Sequence, residues 1–258
     1  MKLVKAEFRK LVYSRSTYGL LLASIFLAVI STVVTPIVID QDETGAFGTL
    51  QDTAMVDGVY ANAISSYIFA IILGVIIIAG EFRHGTAVAT FLAAPKRSSV
   101  LVAKLLVAAL AGFVMQLISA GIAVASGVVT LSFFEDVAET SENVFINLAA
   151  AAALSGAVLG VVGVAVGSLI RNQLVAIVTT LVWLFVLEPI VLLLFVDAGK
   201  WLPTGAITGM LAIEFESEAL GVSTAEYLSP GLSALVLLGY GAVFTAVALV
   251  TSIRRDID

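Results

Sequence analysis

Along the chain, long runs without any charged side chain alternate with short segments that hold nearly all the charge. The runs cover 16–39, 59–80, 105–134, 143–170, 172–187 and 227–253. A helix needs about 20 apolar residues to cross the hydrocarbon core of a bilayer, and nearly all of these runs reach that length unaided. The fifth reaches it once Glu188 and the stretch to Val196 are counted in. Membrane β-strands alternate apolar and polar positions over about ten residues, whereas these runs are continuously apolar for much longer. The pattern predicts an all-α integral membrane protein, a single domain over 1–258, with six spans near 16–39, 59–80, 104–131, 145–170, 173–196 and 229–253.

Shorter patterns lie between the spans. In residues 2–13, Leu3, Val4, Phe8, Leu11 and Val12 fall on one side of a helix, and Lys2, Lys5, Arg9 and Lys10 on the other. A helix of this kind over 1–15 suits a membrane interface, with its basic face toward phosphates. A flexible basic anchor that only sets orientation is the plainer alternative. Between spans two and three, Gly85 and Thr86 mark a helix start and Pro95 its stop, with Val88, Phe91 and Leu92 at helical spacing between them. That stretch is too short to span and too apolar to stand bare in water. Helix 2–13, the lipid interface or another protein must cover it.

Span four carries Gly156, Gly160, Gly163 and Gly167, a spacing that lets helix backbones approach closely. Close packing is the plain consequence, and a surface that slides during transport the sharper one. Asn172 and Gln173 flank Arg171 at a tight turn, which predicts spans four and five as antiparallel neighbours. The halves show no repeat and no paired interrupted spans, which argues against an inverted-repeat secondary transporter.

Composition agrees with the pattern: 60% of the 258 residues are apolar and 12% charged, with a mean hydropathy of +1.10. The first apolar run follows basic residues but is too long for a signal-peptide core and lacks a small-x-small cleavage site before Asp40, so it reads as a retained span. The absence of cysteine excludes disulfides and thiolate metal sites, and a single histidine excludes a multi-histidine centre.

Charge adds an orientation. With the amino terminus inside, every lysine and arginine except Lys200 falls on the cytoplasmic side, as the positive-inside tendency requires. Most of the 19 acids fall on the other face, so the net charge of -6 belongs outside and says nothing of nucleic acid. A multi-pass protein of the cell membrane with both ends in the cytoplasm is the expectation.

Candidate chemistry is sparse. The chain contains no Gly-x-x-x-x-Gly-Lys-Ser/Thr phosphate loop, Gly-x-Ser-x-Gly elbow or His-Glu-x-x-His pair. No cofactor is expected on the chain, and any ATP-driven work needs a second polypeptide. Glu188 is the one ionisable residue inside a predicted span, and a carboxylate there normally faces a partner or water. It stands roughly 22 Å up span five, in the outer half. Pro189 cannot donate a backbone hydrogen bond, which predicts a kink or break. The region 197–226 is then an external loop with candidate re-entrant helices. Gln116 and Ser119 in span three are weaker candidates for a polar path, and interhelical hydrogen bonding explains them equally.

Glu81-Phe82-Arg83-His84-Gly85-Thr86, followed by a short helix and Pro95-Lys96-Arg97 before a span, resembles the loop between spans two and three of ABC type-2 permeases, the membrane subunits of ATP-driven exporters. Leu187-Glu188-Pro189, Trp201-Leu202-Pro203 and the terminal Arg254-Arg255-Asp256-Ile257 agree in order and spacing. The resemblance implies that Thr86 begins a coupling helix seated in a groove of a separate ATP-binding subunit, which would hold the ATP and Mg. Phe91 and Leu92 would be its apolar contacts, and Glu81, Arg83, His84 and Gly85 would lie within reach of that subunit. A membrane-surface ion pair is the modest alternative for Glu81 and Arg83. His84 then makes an ordinary interface contact. The family also implies an external cap on the pathway, making Glu188 and Pro189 candidates for a gate or packing network; a solvent-reaching carboxylate remains the other reading. A second permease copy or homologue would complete a pathway for an apolar or amphipathic drug, lipid or peptide. A secondary transporter or channel, or a non-transporting scaffold for an ATPase, are the alternatives.

Overall fold

The computed structural model describes residues 2–42, 47–86, 97–170, 172–212 and 227–254. Six helices among them are long and apolar enough to cross a membrane. A short helix, α1 (Lys2–Val12), precedes span one, α2 (Arg15–Asp40). Span two is built from α3 (Thr53–Ala61), a 3-10 turn at Asn62–Ile64 and α4 (Tyr67–Arg83). Spans three and four are α5 (Arg97–Leu131) and α6 (Val144–Leu169). Span five joins α7 (Gln173–Val182), a π turn at Trp183–Leu187 and α8 (Glu188–Leu194). Two short helices, α9 (Val196–Gly199) and α10 (Pro203–Leu211), lead toward span six, α11 (Pro230–Arg254). The end of the bundle that holds α1 is called the basic end below, and the opposite one the acidic end.

Helix starts follow ordinary capping chemistry. Asp52 accepts from the Ala54 N–H at the start of α3, and Asn172 accepts from the Leu174 and Val175 N–H groups at the start of α7. In α2 the hydroxyls of Thr32 and Thr35 donate to carbonyls one turn back, which satisfies them inside an apolar helix.

Span four is the axis of the bundle. It packs most extensively on spans two and three, and span six lies against it; span one rests on span three. Glycine makes this possible. A Cβ on Gly74 would stand 2.1 Å from the Gly160 carbonyl oxygen, one on Gly163 2.1 Å from that of Ile71, and one on Gly112 2.1 Å from that of Gly156. The helices therefore meet backbone to backbone, as small-residue stripes allow in lipid.

Span five touches span four, as the tight turn predicts, but span four is not its main partner. It packs chiefly on span two rather than span four, with Ala176 seated against Val75 and Ala79. The small Ala79 and Ala176 let these two helices approach.

Nor does span five stop at Glu188-Pro189. The Glu188 N–H bonds to the Trp183 carbonyl across the π turn, and the helix runs on to Leu194. The wider turn removes the clash that a proline ring makes with the preceding coil. Span two is also interrupted, so two spans carry breaks where the sequence pattern predicts none in pairs. Side chains satisfy this break. Gln116 donates to the Ile64 carbonyl and accepts from Ser66, both at 3.1 Å, while Ser31 donates to the Asn62 carbonyl. Its sequence signal is the polar set Asn62, Ser65 and Ser66, and no proline marks it.

At the acidic end, the connections before α3 and before α6 clasp each other. The Ala138 N–H bonds to the Leu50 carbonyl at 2.8 Å, and buried Asp57 accepts from both the N–H and the hydroxyl of Ser141.

Candidate functional site

At the basic end four charged side chains from three elements form one network. Glu7 is the buried carboxylate of α1: its Oε1 is 2.7 Å from Lys10 Nζ and its Oε2 is 2.6 Å from Lys104 Nζ. Glu81, in the last turn of α4, takes both ammonium groups on Oε1 at 2.7 Å. Lys104, in α5, is 1% exposed and spends a further N–H on the Ile77 carbonyl at 3.2 Å. Three hydrogen bonds and two carboxylates thus satisfy an ammonium that would otherwise be very costly to bury.

Glu7 and Lys10 are held in their ionised forms. Burial pushes the Glu7 carboxyl up, but Lys104 and Lys10 outweigh it and bring its pKa below the ordinary 4.5. Burial likewise pushes Lys10 down, and its bonds to Glu7 and Glu81 outweigh that and raise it above the ordinary 10.5.

The residues expected at the coupling loop are placed as follows. Glu81 turns to Lys10 and Lys104, while Arg83 and His84 are exposed, with His84 closing the end of α4. Gly85 adopts φ +68°, a left-handed conformation that suits glycine and ends the helix. The Thr86 N–H bonds back to the Glu81 carbonyl at 3.0 Å. The segment before Thr86 is therefore fixed to the network by backbone as well as side chain. Phe91, Leu92 and the stretch 87–96 lie outside the described residues. Beside the network is a cavity of about 380 Å³ between α1, the start of α2, the end of α4 and the start of α7, lined by Lys10, Ser14, Glu81, Arg83, His84 and Gln173.

Near the acidic end a second node gathers on Glu188, which is fully buried. Trp183 Nε1 donates to its Oε1 at 2.6 Å, and the Thr204 N–H, in the first turn of α10, donates to its Oε2 at 3.0 Å. The π turn brings Trp183 and Glu188 together through backbone and side chain alike. Pro189 follows inside α8. A carboxylate at the start of another helix also meets favourable dipoles and an N–H that has no partner within its own helix. Glu188 therefore fastens span five to α10, which itself packs on spans four and six. Gln116 is fully buried against the break in span two, and Ser119 bonds to Ser24 of span one.

Sequence reasoning singled out Glu81 but missed Glu7 and Lys104. The signals were present. Glu7 is the one acid in α1 and sits in the middle of the Leu3, Val4, Leu11 stripe, and Lys104 is a lone charge two turns into an apolar span.

Six apolar helices around a glycine-lined axis, with most charge toward the ends and two interrupted spans, define a multi-pass helical membrane protein. The chain belongs to the ABC-2 family transporter proteins, whose sequence pattern matches residues 3–187. It is thus a membrane permease component of an ABC transporter, a transport subunit rather than the ATPase. No curated protein matches the chain.

Proposed function

We propose that this permease is half of an ATP-driven exporter. Two copies, or one copy and a homologue, form the pathway in the cell membrane, and two separate ATP-binding subunits dock on the basic end, which faces the cytoplasm with both termini. The ATP and Mg belong to those subunits. The observation that carries this reading is the Glu7–Lys104–Glu81 network: it fastens the root of the loop after span two to α1 and to span three.

A push on residues 86–94 then reaches three elements at once through Glu81. Closure of the ATP-binding subunits tilts spans two and three together and opens the path toward the acidic end. The almost uncharged interior of the bundle favours an apolar or amphipathic cargo such as a drug, lipid or peptide. Placing α1 at the inner membrane interface gives its outward Lys5 and Arg9 a phosphate layer to meet.

Co-purification with a phosphate-loop ATPase, together with ATP-dependent accumulation of an amphipathic dye in inverted vesicles, is the test. Charged residues at Phe91 and Leu92 are expected to abolish both. Transport that follows a proton gradient and needs no ATPase overturns the proposal.

A further inference from the structure

Near the acidic end a cavity of about 490 Å³ opens between span one, the interrupted part of span two and α10. It lies within the size range of small-molecule sites. Among the described residues, no charged side chain lines it. Its wall is aliphatic at Val38 and Ile207 but also includes Thr35, Asn62, Ser65 and Thr208. Such a collection of hydroxyl and amide groups is out of place on a lipid-facing surface.

The same groups organise the break in span two. Asn62 donates to Thr35 Oγ1 at 3.0 Å, and the Ser31 and Ser65 hydroxyls bond at 2.9 Å. The break comes about 14 Å along the helix from Thr53, at membrane depth. Irregular backbone at that depth is tolerated where it lines a cavity, and interrupted helices are where transporters place their ligands. The third wall, α10, is the helix whose first turn is held by Glu188 through Thr204, and Thr204 itself faces the cavity.

We infer that this cavity is a binding site for an uncharged amphiphile: an apolar body lies along Val38 and Ile207, and a hydroxyl- or amide-bearing end bonds to Asn62, Ser65 and Thr208. Each hydroxyl and amide retains capacity for one more hydrogen bond to such a headgroup. A ligand with net charge would be desolvated with no counter-ion among the described residues, and is disfavoured. That the site lies on the export route rests on the function proposed above; the binding itself does not.

The test uses the full chain in phosphatidylcholine nanodiscs, without ATP or any partner. Three photoactivatable probes of equal chain length are compared: a diazirine hexadecanol, the matching fatty acid and the matching alkylammonium. The alcohol is expected to label 34–38, 55–65 and 204–211 saturably, with competition by plain hexadecanol, and the two charged probes are not. Ala61→Phe, which fills the cavity, abolishes saturable labelling. Thr208→Val weakens it about fivefold, the weight of one hydrogen bond, and keeps the volume. Ile30→Phe, on the outer surface of span one, leaves it unchanged.

Labelling that never saturates and spreads equally over Leu22 and Leu235 overturns the inference. So does equal labelling by all three probes, or native labelling in a folded Thr208→Val protein. Saturable labelling in a protein that shows no ATP-dependent transport leaves this site standing and overturns only the exporter reading.

Discussion

Lys104 Nζ lies 2.6 Å from Glu7 Oε2, joining side chains 97 residues apart in sequence and both buried. Removing Lys104 takes an ammonium from both Glu7 and Glu81 and leaves the two carboxylates to share Lys10. Lys104→Met is expected to destabilise the protein by about 3 kcal/mol or more, the usual cost of breaking a buried pair. Adding Glu7→Gln to that variant recovers part of the loss. Unfolding in detergent, followed by helical signal, measures both.

The network has a sign in pH. The Glu7 carboxyl has a lowered pKa, so its contribution is complete above 4.5 and disappears as pH falls through the lower folded value. Lys10 is raised, so its contribution is complete below 10.5 and is lost as pH rises through the higher folded value. Amide exchange in α1 is expected to stay slow across the neutral range and to quicken at both extremes. Glu7→Gln removes the acid-side change, and exchange in α1 that ignores pH contradicts the assignment.

Gly74 and Gly121 answer the same substitution differently. A Cβ on Gly74 collides with the Gly160 carbonyl, whereas one on Gly121 meets nothing within 4 Å. Gly74→Ala is expected to cost about 1–3 kcal/mol through forced separation of spans two and four. Gly121→Ala is neutral, or stabilising by up to about 1 kcal/mol from helix propensity. Thermal aggregation midpoints of the two variants rank them.

Glu188→Ala leaves the Thr204 N–H and the Trp183 indole without their acceptor. The expected cost is about 1–3 kcal/mol, the usual penalty for a donor left without its acceptor, together with release of the first turn of α10. Trp183 fluorescence and cross-linking between the ends of span five and α10 report it. Glu188→Gln keeps an acceptor oxygen and is milder.

The six helices were legible because lipid imposes one pattern, continuous apolarity, that needs no tertiary information. The breaks were not. Asn62, Ser65 and Ser66 read as tolerated polar residues in an apolar run, and only Gln116 of another span shows what they compensate. Pro189 was legible as a disturbance, but its resolution into a wider turn depends on Trp183 six residues earlier. Glu81 stood out by its place at the end of a span. Its partners did not, because the place of a charge along its own helix gives no account of which other element it faces. Arg83, the nearer cation in sequence, is exposed.

The π turn also acts as an inserted residue in the register of span five. Drawing 183–187 into regular α-helix with every residue kept would leave span five still long enough to cross the membrane. Every side chain beyond the turn would then swing by about 100°. Glu188 would leave the Thr204 N–H and face a neighbouring helix or lipid. Span five would look more regular, and α10 would lose the contact that fixes where it begins.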